Sequence, residues 1–296
     1  MGDEEKYLIS LVIPAYQAQD TLSETLDAAL AQDFDAYQIV IVDDGSRDDT
    51  LSIAQSYANK NRNIKVIHQE NRGTGGAYNS GVQNADGAWI SICSADDILY
   101  PQALSRLWQA HLEHPEMSII ASNGDYLYDE TGKKEPVYNL ARREDGEIEL
   151  SEAISACFYS VGALYDKTWY EKIGGYNEGM FAEDYDFWLR IMMRGARAFY
   201  VHEVLSAHRK SATQKSANVA KAYQTDILIY RSCLESELLS PELAEVCRRA
   251  IEARKKQLED CGAKRAPLKR RIIEGLAKVL GRDRLQRIVH TLKGKK

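Results

Sequence analysis

The chain has 296 residues, 44% apolar and 28% charged, with a formal net charge of -6. This suits one sizeable domain with an extension rather than two equal domains, and the acidic total gives no case for a nucleic-acid partner. The charge is uneven: between 264 and 296 twelve Lys or Arg stand against Glu274 and Asp283, a net of +10, which leaves -16 on the first 263 residues. The five cysteines (Cys93, Cys157, Cys233, Cys247 and Cys261) never form C-x-x-C, so a disulfide framework or zinc site is not expected and a reducing cytosol is. The opening MGDEEKYLIS is acidic where a secretory leader would be basic and then apolar. No apolar run approaches the ~18 residues of a membrane span, and the expected location is cytoplasmic.

In chain order, Tyr7–Ile13 is an apolar run ended by Pro14 and reads as a buried strand. Asp20–Gln32 reads as a helix with Thr21-x-x-Glu24 as its capping box. Gln38–Val42 is a second strand, Asp49–Asn59 a helix, Ile64–His68 a third strand, Thr74–Gln83 a third helix and Ala88–Cys93 a fourth strand. Pro101 opens a helix that stops before Pro115. Short apolar strands alternating with helices predict a mostly parallel sheet covered on both faces. Further on, Asp125–Tyr138 carries a hairpin signal around Glu130-Thr131-Gly132-Lys133. Ser151–Cys157 reads as a short helix, Gly162–Tyr165 as a strand, Lys167–Ile173 and Glu183–Arg194 as helices, and Ala196–Val201 as a strand. From about Ser216 the pattern is helical only, which places the boundary of a first domain, 1–215, near Ser211–Ser216 and leaves 216–296 as a helical extension.

Polar clusters fall where the strands end: Pro14-Ala15-Tyr16, Asp43-Asp44-Gly45-Ser46, Asn71-Arg72-Gly73 with the glycine run behind it, and Ser94-Ala95-Asp96-Asp97. Each alone is what a turn would use. Four on one edge of an open parallel sheet point to a shared ligand site. Dinucleotide binding fails in detail, because Gly73-Thr74-Gly75-Gly76-Ala77-Tyr78 has Tyr78 where the third glycine belongs and follows the third strand instead of the first. Adjacent carboxylates at Asp96 and Asp97 repel, and a divalent cation would offset that; Asp96 is assigned to a metal and Asp97 to capping the next segment.

The runs LVIPAYQAQDTLSETLDAAL, VDDGSRDDT, NRGTGGAYNSG, ADGAWISICSADD and FAEDYDFWLRI, in this order and spacing, resemble family 2 glycosyltransferases over about residues 7–213. The resemblance implies a GT-A fold, Rossmann-like with a mostly parallel sheet, and inverting transfer of a sugar from a nucleoside-diphosphate-sugar, UDP- or dTDP-linked, to an acceptor hydroxyl in surface polysaccharide or glycan assembly. Pro14, Ala15 and Tyr16 would lie along base and ribose, Asp43 or Asp44 would accept from the base, and Asn71 and Arg72 would line the nucleotide or diphosphate, with Arg72 equally readable as a surface charge. Ser94 replaces the first aspartate of the family's Asp-x-Asp motif; Ala95 and Asp96 complete it, with Asp96 on Mn²⁺ or Mg²⁺. Glu183-Asp184 matches the acceptor-side acidic pair, with Asp184 as general base or helix N-cap, and Asp186 as the alternative base. His208 would approach the metal or diphosphate, and Arg209 and Lys210 would neutralise the diphosphate or be ordinary surface charges. A nucleotide-sugar-binding module without catalysis is the rival reading. The basic tail has apolar residues at helical spacing, Leu268, Ile272, Leu276, Val279 and on to Leu292, and is expected on an anionic membrane surface at the inner face of the cell membrane or against protein. The acceptor would be a glycan or lipid-linked glycan.

Overall fold

The structure, a computed structural model, describes residues 7–129, 131–136, 144–155, 161–211 and 217–280, with side chains to residue 261. Its first half alternates strand and helix: β1 Ile9–Ala15, α1 Leu22–Leu30, β2 Tyr37–Asp43, α2 Thr50–Ala58, β3 Ile64–His68, α3 Gly73–Gln83, β4 Trp89–Ile92. Then come β5 Ile98–Leu99, α4 Ala103–Glu113, β6 Ile119–Tyr128, β7 Lys133–Pro136, β8 Gly146–Ile148, α5 Leu150–Ser155, β9 Leu164–Asp166, α6 Thr168–Ile173, α7 Glu183–Met192 and β10 Ala198–Lys210. Helices α8 Val219–Leu234 and α9 Pro241–Leu280 follow.

The ten strands of the described residues form one sheet, ordered β3-β2-β1-β4-β9-β6-β10-β5, with β7 beside β6 and β8 beside β10. β1 is parallel to β2 and β4, β2 to β3, and β6 to β10, whereas β9 runs antiparallel between β4 and β6. The alternation of side chains along a strand explains why β1 and β2 read as continuous apolar runs. Val12, Val40 and Val42 face the core under α3, α7 and α8, while Leu11, Ile13, Ile39 and Ile41 face the core under α1 and α4. Both faces are dry, and each fully buried aliphatic side chain contributes about 1.5–3 kcal/mol.

Three expectations change. Pro14 does not end β1: it pairs in register with Val42, and its carbonyl accepts the Ala95 N–H at 3.2 Å. A residue in a parallel strand points its N–H and C=O to the same neighbour, so the missing N–H of Pro14 falls where pairing with β4 has already ended at Ile92. Thr21 and Glu24 form no capping box: the Thr21 hydroxyl donates to the Ala95 carbonyl at 2.9 Å, and Glu24 pairs with Arg209. The last strand is far longer than 196–201, because β6 offers a parallel partner up to Lys210, with register shifts around Val204 absorbing the polar His202-Glu203. The 125–138 hairpin is present as β6 and β7; Glu130, Tyr138 and Cys157 lie outside the described residues, as does most of the 211–216 boundary.

Helix α3 lies directly on the sheet because Gly81 has no side chain: a Cβ there would come within 2.2 Å of Val12 Cγ1. Valine is stiff at χ1, so Val12 cannot swing aside. Gly81→Ala is therefore expected to destabilise the protein by about 1–3 kcal/mol through overpacking, read as a lower urea midpoint with unchanged slope, although alanine is ordinarily the better helix former.

Candidate active site

The carboxyl ends of β1, β2 and β4, the N-termini of α3 and α7, and the end of β10 converge on one edge. Among them lies a cavity of about 280 Å³, lined by Tyr78, Tyr176, Asp184, Asp97, His208 and Lys210, with Ser94 and Trp188 also on its wall. That volume is at the lower bound of ligand sites.

The β4 and β10 wall is set by strand geometry. In β5–β10 pairing Ile98 faces Ala207, so the residue before Ile98, Asp97, meets His208. Asp97 is 2% exposed. Its Oδ1 accepts the Arg209 N–H at 2.9 Å and lies 2.9 Å from His208 Nδ1. Asp97 is thus no helix cap, since α4 begins only at Ala103; it ties two strands together, a carboxylate bond to one ring nitrogen that leaves Nε2 toward the cavity. Period-two alternation then sends His208 and Lys210 to the cavity and Arg209 to the opposite face. There the Arg209 guanidinium donates to the Asp96 carbonyl (2.7 Å) and Asp129 (2.6 Å) and pairs with Glu24. Of the two cations, Lys210 alone reaches the cavity, its amine 4.4 Å above the Tyr126 ring.

The opposite wall comes from α7. Glu183 is buried, whereas Asp184 is exposed to the cavity. The N-cap position belongs to Ala182; Asp184 sits in the first turn, with its Oδ1 accepting the Tyr185 N–H at 2.8 Å. Asp186, the alternative base, is buried and bonded to Arg190 at 2.7 Å. Burial pushes the Tyr78 phenol well above its ordinary pKa, with the charges of Glu183 and Asp184 adding to the rise and a Ser94 hydrogen bond opposing it, so the phenol stays a donor at neutral pH.

At the β2 end, the Asp44 carboxylate is filled by Gln69 Nε2 (2.7 Å) and the Arg72 and Gly73 N–H groups (2.9 Å each), a carboxylate anchoring the start of α3. Asp43 is fully buried; its Oδ2 lies 2.7 Å from His68 Nδ1, and its Oδ1 has no hydrogen-bond partner among the described residues. Asn71 accepts the Gly73 N–H at 3.3 Å. Arg72 runs back along α3 over Gly76 and pairs with Glu178 at 2.5 Å. Pro14 and Ala15 are in β1, Ala95 is buried, and Tyr16 is exposed at the rim. The structure therefore brings Ser94, Asp184 and His208 to one cavity and leaves Pro14 to Tyr16, Asp43, Asp44, Asn71 and Arg72 outside its lining. Asp97 was read from sequence only as a cap, and the aromatic wall of Tyr78, Tyr126, Tyr176 and Trp188 was not read at all; the i, i+2 spacing of His208 and Lys210 would have shown their shared face had the strand been extended.

Among the described residues no group of three or more His, Cys, Asp or Glu is arranged to hold a metal. Asp97 and His208 line the cavity, whereas Asp96 does not.

Burial lowers the Lys210 pKa, and the charges of Asp97 and Asp96 oppose that. Asp97→Asn removes one opposing charge and should lower it further, making Lys210 a faster target for reductive methylation near neutral pH; an unchanged rate counts against the electrostatic account. Because the folded pKa is depressed, the unfolded chain binds more protons between the two values and this group makes stability rise with pH there.

The family model for glycosyl transferase family 2 matches residues 10–174. A Rickettsia prowazekii glycosyltransferase is 30% identical over 213 residues, 70% of this chain and 65% of the relative, so the match spans just under two thirds of that protein; for a Rickettsia felis glycosyltransferase, 29% identical, the shares are 81% and 40%. S. aureus TarS, solved with UDP-GlcNAc, has a TM-score of 0.69 at 21% identity, over 83% of this chain and 72% of that one. The mannosyltransferase PcManGT from Pyrobaculum calidifontis, solved with GDP-Man and Mn²⁺, has a TM-score of 0.68 at 18% identity, over 97% and 79%. Fold, motif order and family match agree: the chain belongs to glycosyl transferase family 2 and has the GT-A fold.

Proposed function

We propose that this glycosyltransferase moves a sugar from a nucleoside-diphosphate-sugar, UDP- or dTDP-linked, to an acceptor hydroxyl with inversion, in surface polysaccharide or glycan assembly. The observation that carries the reading is a cavity whose lining combines the Asp184 carboxylate, His208 and Lys210 with aromatic side chains. A carboxylate to take the acceptor's proton and a cation beside the leaving group suit an in-line displacement. The acceptor oxygen attacks the anomeric carbon, its proton passes to Asp184, and the bond to the phosphate oxygen breaks with its electron pair leaving on the diphosphate. The Lys210 amine offsets that charge, and the His208 ring lies beside it on the same wall. The neutral phenol of Tyr78 and the aromatic faces of Tyr176 and Trp188 hold the sugar and keep water out. Burial keeps the Tyr78 phenol protonated, and the charge of Glu183 adds to that. A divalent cation, Mn²⁺ or Mg²⁺, held by Asp96, Asp97 or His208 and the donor phosphates, would supply Lewis-acid stabilisation of the leaving group.

The nucleotide would lie from this cavity toward Pro14, Ala15 and Tyr16, with Asn71 beside the phosphates. The unpartnered Oδ1 of Asp43 suits the N–H of uracil or thymine better than Asp44, whose oxygens are already bonded. The complexes of TarS with UDP-GlcNAc and of PcManGT with GDP-Man and Mn²⁺ support a nucleotide-sugar and a cation in folds of this kind. A glycan or lipid-linked glycan is the proposed acceptor. The basic segment 264–296 would hold the protein peripherally on the anionic inner face of the membrane; α9 runs to Leu280, and no helix of the described residues is long and apolar enough to cross a bilayer.

Asp184→Asn should lower transfer by about 100-fold or more with nucleotide-sugar binding retained in a thermal-shift screen with Mn²⁺. Near-wild-type transfer would remove the base assignment, and a wild type that binds donor without turnover would leave a binding module. Asp96→Ala transferring at full rate in chelator would remove the cation. Deleting residues 264–296 should abolish flotation with anionic liposomes; equal flotation of both proteins would end the membrane proposal.

A further inference from the structure

Resting on that reading of Asp184, the structure assigns Asn79, on the inner side of α3, as a positioning residue that sets the acceptor-side wall of the cavity. Asn79 is 7% exposed. Its Oδ1 accepts the Tyr176 N–H at 2.8 Å, and its Nδ2 donates to the Tyr176 carbonyl and to Glu178 Oε1, both at 3.0 Å. One amide side chain thus stands in for a neighbouring strand, satisfying both backbone groups of a residue in the 174–182 connection, which is neither helix nor strand.

The neighbours are shaped for this docking. Gly175 has φ +86°, and a Cβ on it would lie 2.7 Å from Asn79 Oδ1. A Cβ on Gly75 would lie 3.0 Å from Glu178 Cα and 3.1 Å from the Asn177 carbonyl oxygen. The glycine run that failed as a dinucleotide fingerprint thus has a packing purpose: the connection lies against the first turn of α3. Arg72 closes the contact from above through Glu178. What Asn79 holds reaches the chemistry directly. The Tyr176 ring stacks on Phe187 (4.2 Å, 20°), packs 5.0 Å from Tyr78, and its hydroxyl donates to Tyr165 at 3.1 Å. Tyr176 lines the cavity with Asp184, which lies in the first turn of α7 eight residues on. A shift of the Tyr176 backbone therefore moves a wall and the start of α7 together, while Asp43 and the β1 end stay as they are.

Asn79→Asp tests this. Ionised, the new carboxylate sets acceptors against the Tyr176 carbonyl and Glu178; protonated, it regains a donor with the shape of asparagine. At about pH 8, nucleotide release from a panel of UDP- and dTDP-sugars should fall about 10–100-fold in kcat, with the affinity for UDP and Mn²⁺ by calorimetry held near wild type. Relative to wild type, the variant should recover as the pH falls. Hydrogen exchange of residues 174–190, faster than wild type at high pH and converging at low pH, reads the clamp without any sugar, so a wild type inactive on every donor would defeat the functional reading and leave this measurement standing. Unchanged kcat and exchange, a loss of UDP affinity matching the loss in kcat, or a deficit that does not depend on pH would overturn the assignment.

Discussion

Asp97 is where the strands that carry the site are locked together. With 2% of its surface exposed, its carboxylate takes the His208 ring and the Arg209 N–H on one oxygen. Leaving either group unsatisfied in the interior costs about 1–3 kcal/mol, so the register of β10 against β5 is strongly held. That register decides the rest. His208 and Lys210 face the cavity, and Arg209 faces away, into Glu24, Asp129 and the Asp96 carbonyl. A slip of one residue would exchange the faces and put a guanidinium where a lysine amine now sits over Tyr126.

The cavity has two walls of different origin. One is sheet: β4 and β10, fixed by backbone ladders and Asp97. The other is helix and loop: α3 and α7, fixed by side chains such as Asn79 and by glycines that permit close approach. The sheet wall carries the imidazole and the amine, and the helical wall carries the Asp184 carboxylate. The carboxylate and the basic groups are therefore anchored to separate elements of the fold. Both walls lie at one edge of the sheet, beyond its strand ends, where open sheets bind their ligands.

Much of this was legible beforehand. The strands of the first half and their helices fall within two or three residues of where the apolar runs placed them, because strands buried on both faces must be apolar throughout. Asp184 and His208, named from motif matches, do meet at one cavity. Other residues misled for identifiable reasons. Thr21 and Glu24 have the spacing of a capping box, yet each is drawn to a partner more than seventy residues away. Asp97 looked like a cap because its true partners arrive from a strand 111 and 112 residues later. The tyrosines at 78 and 176 carry no local signature as cavity walls, because they come from different elements.

The sequence by itself determined the alternation of strands and helices, the edge on which the polar residues gather and the family to which the chain is similar, since all three are written in local periodicity and in short motifs. Only the tertiary structure decided which of two adjacent residues faces the ligand: Asp97 and not Asp96 on the cavity wall, Lys210 and not Arg209, with Arg72 turned away along α3. Side-chain direction depends on register and on which distant strand or loop packs alongside, and neither is encoded within a few residues of the group concerned.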